Sequence, residues 1–170
     1  MNKAVFLDRD GVINVDKGYV YRAEDCEYLD GMVEKLKKFQ KMGYLLIIIT
    51  NQSGIARGYF SEEQYLEFER WLIGDLKSKG VIITDCYYCP HHPEAVITKY
   101  RKKCCCRKPG TELFYRAARD YDIDINKSIV IGDRESDLEI CKVTQARAIL
   151  LDKGWNNTKF FIENQLEMKE

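Results

Sequence analysis

Residues 44–50, Tyr-Leu-Leu-Ile-Ile-Ile-Thr, form an apolar run with no alternation. A strand wetted on one face alternates apolar and polar residues, so this run needs cover on both faces, the signature of a parallel sheet flanked by helices. The rest of the chain supplies the partners. Residues 4–7, 81–88, 128–132 and 148–151 read as further strands, 31–42 and 111–121 as helices, and 135–142 as a short helix. In the first helix Met32, Val33, Leu36, Phe39 and Met42 fall at three- and four-residue spacing. Ser61-Glu62-Glu63-Gln64 is a capping box that opens another helix to about Lys79, with Leu66, Phe68, Trp71, Leu72 and Leu76 as inward candidates. Strands separated by helices require right-handed crossovers, which predicts a doubly wound, mostly parallel α/β sheet. Residues 11–30 have no period and read as an ordered loop, and the weakly patterned residues 153–170 read as a final helix. All 170 residues are expected to form one domain, with no insertion large enough for a separate cap.

Lys plus Arg and Asp plus Glu number 27 each, so no global field favours nucleic acid or a membrane surface. No apolar stretch is long enough to span a bilayer, and the residues before Asp8 are too short for a signal segment. The expectation is a cytoplasmic monomer acting on a small molecule, with neither nucleic acid nor membrane as partner. In that setting the seven cysteines read as thiols or metal ligands rather than disulfides.

The chemistry-bearing residues sit at strand ends. The run Ala4-Val5-Phe6-Leu7 stops on Asp8-Arg9-Asp10-Gly11, whose two acids at i and i+2 of an extended segment face one spot. Thr50 and Asn51 end the second strand, and Asp133 and Asp137 follow the fourth. The carboxyl edge of an open parallel sheet is where ligands bind, and Arg107-Lys108-Pro109 can add cations to that edge. Three acids, a hydroxyl and a lysine suit a phosphoryl group with a divalent cation: the acids hold Mg²⁺ through oxygen, while Thr50 and Lys108 donate to phosphate oxygens. Taken singly, each of these residues reads equally well as a turn or a solvated side chain.

A second constellation lies between Tyr87 and Pro109. Cys89-Pro90-His91-His92 and Cys104-Cys105-Cys106 offer Cys-x-His and Cys-x-Cys pairs, two ligands each on one side of an extended backbone, which together can close a tetrahedron around Zn²⁺. Cys89, His91, Cys104 and Cys106 are the favoured set over ones using His92 or Cys105, and Cys105 is expected to point away. The pair Cys86 and Cys89 is also C-x-x-C, but Pro90 follows and no helix begins there, against a redox role.

Asp8-Arg9-Asp10-Gly11, Thr50-Asn51, Lys108-Pro109 and Gly132-Asp133-Arg134-Glu135-Ser136-Asp137, in that order, resemble the four motifs of the haloacid dehalogenase superfamily of phosphohydrolases. Response-regulator receivers use a similar set in another order. The resemblance implies that Asp8 is a nucleophile forming an aspartyl-phosphate and that Asp10 is the general acid and base. Asp8, the Asp10 main-chain carbonyl and Asp133 would bind Mg²⁺, with Asp137 supporting. Val12 stands where the pattern usually has Thr or Ser. Together with Asn51-Gln52-Ser53-Gly54-Ile55-Ala56-Arg57-Gly58, the cysteine and histidine motifs resemble the subfamily of heptose 1,7-bisphosphate 7-phosphatases and histidinol-phosphate phosphatases. By that resemblance the histidinol members have a shorter stretch between the ligand pairs than His91 to Cys104 here, which favours the heptose members. Arg57 and Arg107 are more cation than one phosphate needs, and by resemblance Asn51, Arg57 and Arg107 would contact the sugar and its retained 1-phosphate. The end of the chain, from Asp152-Lys153-Gly154-Trp155 onward, departs from the subfamily pattern.

Overall fold

The first strand, β1 (Lys3–Leu7), places Ala4 and Phe6 in one apolar cluster and Val5 and Leu7 in another, all four fully buried. Its neighbour β2 (Tyr44–Asn51) divides Leu46 and Ile48 from Ile47 and Ile49 in the same way. Burial on both faces is why neither run alternates. The computed structural model describes residues 1–158 together with the backbone of 161–162 and 166–167. With β3 (Ile83–Cys89), β4 (Ile129–Gly132) and β5 (Arg147–Leu150), the strands form one sheet in the order β3-β2-β1-β4-β5, every neighbouring pair parallel.

Helices α1 (Met32–Lys41) and α3 (Glu62–Ser78) cover the Val5 and Leu7 face through Leu36, Phe39, Phe68, Leu72 and Leu76. A short helix, α2 (Ser53–Ala56), follows β2 directly. The other face is covered by α4 (Glu112–Asp120), through Leu113, Phe114 and Ala117, and by a 3₁₀ helix, Glu135–Lys142, through Leu138 and Ile140. The expected capping box is present: the Gln64 amide donates to the Ser61 hydroxyl and the Ser61 amide to the Gln64 side chain. The buried stripe of α3 runs Tyr65, Phe68, Leu72 and Leu76, so Trp71, expected inside, is 37% exposed and stacks on Phe68.

The final helix expected over 153–170 is corrected by the structure. Residues 152–157 make turns, and β6 (Phe161–Ile162) pairs antiparallel with β7 (Leu166–Glu167). Residues 159–160, 163–165 and 168–170 of that stretch lie outside the described residues. Gly154 sits at φ 73° and Asn156-Asn157 favours turns, while Trp155 is buried with its indole N–H donating to the Val12 carbonyl at 2.7 Å. Anchoring that indole sets the path of the chain there. Among the described residues no helix is long and apolar enough to cross a membrane.

Strand order reverses at β1: β2 and β3 lie on one side, β4 and β5 on the other. In an open α/β sheet the crevice for ligands lies at this reversal, outside the carboxyl ends of the strands.

Candidate active site

Asp8 follows β1 and Asp133 follows β4, the two strands that flank the reversal, and the Asp8 amide donates to the Ile131 carbonyl at 3.0 Å. Gly11 has φ 84°, and a Cβ there would lie 2.2 Å from Asp133 Oδ2, so only glycine lets the loop after β1 pass this carboxylate. The buried Lys108 ammonium, on the loop before α4, donates to Asp8 Oδ1 at 2.8 Å and to the Ile49 carbonyl at 2.8 Å, and it lies 2.6 Å from Asp137 Oδ1. Asp137 Oδ2 also accepts the Arg134 amide at 3.1 Å. Asp8, Asp133 and Asp137 each offer an oxygen, all within 4.8 Å of one another. Asp133 Oδ1 is buried with no hydrogen-bond partner among the described residues. A buried carboxylate oxygen without a donor fits a hard divalent cation.

Asp10 is held from behind: its Oδ1 accepts from Arg9 Nη2 at 2.8 Å and Asn14 Nδ2 at 2.9 Å, and its Oδ2 from Gln52 Nε2 at 3.2 Å. The same Gln52 nitrogen reaches the Thr50 hydroxyl oxygen at 3.0 Å. Asn51 pairs its amide with the Lys108 backbone, donating to the carbonyl at 3.1 Å and accepting the N–H at 3.0 Å, which ties the end of β2 to the lysine loop. Asp8, Asp10, Asn51, Arg107, Lys108 and Asp137 contribute to the lining of a cleft of about 280 Å³.

Burial pushes the Asp8 carboxyl up to about 7; Lys108 pulls it down and Asp137 adds to the rise. Burial also works against the charge on Lys108, but Asp8 and Asp137 outweigh it and raise the lysine. Asp133 is raised by burial and by Asp137. One lysine among three crowded acids leaves net negative charge, which a cation relieves.

The cysteine loop forms a second cluster. Cys89 Sγ lies 3.5 Å from Cys104 Sγ and 3.1 Å from Cys106 Sγ, the latter two are 3.3 Å apart, and His91 Nδ1 is 3.6 Å from Cys89 and 3.4 Å from Cys106. Sulfurs bound tetrahedrally at a Zn–S distance of about 2.3 Å sit about 3.8 Å apart, so the cluster has the size of such a site. The Cys105 thiol instead donates to Glu112 at 3.0 Å, and His92 Nε2 lies 3.4 Å from Arg57 Nη2. Cys86 packs against the α3 face of the sheet and Cys89 against the α4 face, so the C-x-x-C residues do not face each other. Arg107 Nη1 and Arg57 Nε are buried without hydrogen-bond partners among the described residues.

A family model described as HAD-hydrolase-like matches residues 105–161. A Photorhabdus laumondii protein named D-glycero-beta-D-manno-heptose-1,7-bisphosphate 7-phosphatase is 48% identical over 136 residues, which is 80% of this chain and 72% of that protein. The chain belongs to the haloacid dehalogenase-like phosphatases. A second protein of the same organism, named for the alpha form of the same bisphosphate, is also 48% identical, over 80% of this chain and 74% of its own. The crystal structure of D,D-heptose 1,7-bisphosphate phosphatase from B. bronchiseptica, complexed with magnesium and phosphate, matches with a TM-score of 0.74 at 28% identity, over 87% of this chain and 79% of that one.

As a haloacid dehalogenase-like phosphatase the protein is a phosphoric monoester hydrolase. Its fold brings Asp8, Asp10, Asn51, Lys108 and Asp137 to one cleft, with Asp133 beside Asp8 and Thr50 behind Gln52. Arg57 lies against His92 instead, whose pKa burial and the charges of Arg107 and Arg57 lower. Arg9, Asn14 and Gln52 escape a reading of the sequence. Gln52 carried a signal, since it stands two residues after Thr50 in extended chain and therefore shares its side.

Proposed function

We propose that this phosphatase removes the 7-phosphate of D-glycero-D-manno-heptose 1,7-bisphosphate during synthesis of nucleotide-activated heptose. The 48% identity to two relatives named for that substrate supports the substrate. The observation that carries the chemistry is Lys108 Nζ at 2.8 Å from Asp8 Oδ1, beside an Asp133 oxygen that is buried and unpartnered among the described residues.

Asp8 attacks the phosphorus in line, the bond from phosphorus to the C7 oxygen breaks, and the phosphoryl group passes to the Asp8 carboxylate. Asp10 gives its proton to the departing oxygen. It then takes a proton from water, whose oxygen attacks the phosphorus and releases phosphate from Asp8. Lys108 donates to the phosphoryl oxygens, and so does Thr50: Gln52 donates to the Thr50 oxygen, which leaves the hydroxyl proton for an acceptor. Asp8, the Asp10 main-chain carbonyl and Asp133 would hold Mg²⁺, with Asp137 supporting through Lys108. When bound, that ion neutralises charge on the transferring group. Arg107 and Arg57 would meet the retained 1-phosphate, and Asn51 would face the sugar while keeping the lysine loop in place.

Cys89, His91, Cys104 and Cys106 would hold Zn²⁺ and staple the loop that carries Arg107 and Lys108. The chain would act as one domain without a separate cap, as a monomer, in the cytoplasm, where its seven unpaired cysteines stay reduced.

The test is phosphate release with Mg²⁺ from both anomers of the bisphosphate, from histidinol phosphate and from an aryl phosphate. A kcat/KM at least ~100-fold higher for one heptose anomer than for histidinol phosphate is expected. The reverse order would overturn the substrate. Metal analysis should find zinc in the purified protein and lose it in a Cys104→Ser, Cys106→Ser double variant; a zinc-free wild-type protein would overturn that site.

A further inference from the structure

Arg9 is 1% exposed, as buried as the apolar core, with its guanidinium carbon 5.0 Å from the Phe68 ring centre and 6.0 Å from that of Tyr65. Burying a guanidinium is costly unless its donors are answered. Nη2 of Arg9 donates to Asp10 Oδ1 at 2.8 Å and to the Val20 carbonyl at 2.6 Å, and Nε to Asp10 Oδ1 at 3.3 Å, while Nη1 is buried with no hydrogen-bond partner among the described residues. Asn14, 0% exposed, donates to the same oxygen at 2.9 Å.

Asp10 Oδ1 therefore receives three N–H groups, which fills the lone pairs of a carboxylate oxygen. A proton could bind there only by displacing a donor. Oδ2 meets Gln52 Nε2 alone among the described residues, at 3.2 Å, and keeps acceptor capacity. We infer that Arg9 and Asn14 are positioning residues that pin Asp10 Oδ1 and so make Oδ2 the oxygen that carries the acid–base proton. The inference rests on the assignment of Asp10 as general acid and base under Proposed function. In the first half-reaction the Oδ2–H bond breaks while the departing alkoxide gains that proton and its bond to phosphorus breaks. In the second, a water O–H bond breaks toward Oδ2 as the water oxygen bonds to phosphorus and the bond from phosphorus to Asp8 breaks. The pin joins three parts of the fold, since the guanidinium is held by the residues 11–30 loop through Val20 and packed by α3 through Phe68 and Tyr65.

Leaving-group dependence tests this. An alkyl phosphate needs a proton on its departing oxygen, whereas para-nitrophenyl phosphate expels a stable phenolate without one. For Arg9→Gln, kcat/KM on heptose bisphosphate should fall by about 10²-fold, as loss of an aligned acid does, and on para-nitrophenyl phosphate by no more than severalfold. Asn14→Ala should show the same selective loss, and it decides the matter if Arg9→Gln fails to fold. Equal loss on both substrates in these variants, with Asp10→Asn still selective, would overturn the positioning role and leave the assignment of Asp10 standing. Equal loss on both substrates in Asp10→Asn would overturn that assignment and the inference with it.

Discussion

Lys108 sits at a charge balance that is unfavourable without a cation. It serves Asp8 and Asp137 at 2.8 and 2.6 Å, while Asp133 adds a third acid with one oxygen unpartnered among the described residues. Carboxylates gathered this closely trade stability for function. Asp8→Asn removes one charge and keeps the shape, so it should abolish turnover and, in metal-free protein, raise stability by about 1 kcal/mol, or roughly 2–4 °C in Tm. Thermal melts with and without Mg²⁺ check this; the variant should also gain less from Mg²⁺, and a lower metal-free Tm than wild type would contradict it. At this scale the strand-end acids and Thr50 are legible because they follow apolar runs, and Lys108 through the Lys-Pro pair it forms with Pro109. Arg9 is not: an arginine between two acids reads as solvated, and nothing local shows that it turns inward between the rings of α3.

Among the elements, the first turn of α3 is tied to the cysteine loop by one carboxylate. Glu62 accepts from the Tyr88 hydroxyl at 2.7 Å and the Tyr100 hydroxyl at 2.8 Å, joining α3, β3 and the segment between the cysteine pairs. Burial works to raise the Glu62 carboxyl, but the two phenol hydrogen bonds, together with the charges of Lys99 and His91, outweigh it and lower it below the ordinary 4.5. A lowered carboxyl contributes stability that is fully present above that ordinary value and is lost as pH falls through the folded-state value. Glu62→Gln should therefore cost about 1 kcal/mol near neutral pH. The gap from wild type should stay level down to about pH 5 and close in more acidic solution; a pH-independent gap in urea titrations would exclude this origin. The capping box of α3 is legible in four consecutive residues, whereas the tie from Glu62 to Tyr100 joins residues 38 apart.

Across the whole molecule, the chain returns near its end to the loop that follows β1. Trp155 is buried and bonds the Val12 carbonyl at 2.7 Å, and a Cβ at Gly31 would fall 2.1 Å from Asn156 Oδ1. The turn after β5 thus packs against both the first motif and the start of α1. Trp155→Ala should cost about 3–5 kcal/mol through the cavity it leaves. Trp155→Phe keeps most of the packing and should cost about 1–3 kcal/mol, because the Val12 carbonyl loses its donor. Chemical denaturation of both variants checks the order: no cost for Trp155→Phe would mean that the hydrogen bond contributes nothing, and equal costs that the packing of the ring contributes nothing beyond it.

Taken alone, the sequence determined the alternation of strands and helices, the double burial of β1 and β2, and the placing of the acids at strand ends. These depend on period and on neighbours within a few residues, which local sterics and hydrophobicity dictate. Only the tertiary structure decided the reversal of strand order at β1, the reach of Lys108 to Asp8 across 100 residues, and the pinning of Asp10 by Arg9 and Asn14. The turn at Trp155 in place of a final helix belongs with them. Each depends on which surfaces meet once the sheet has assembled, and a burial or hydrogen bond between distant segments leaves no period in the chain that carries it.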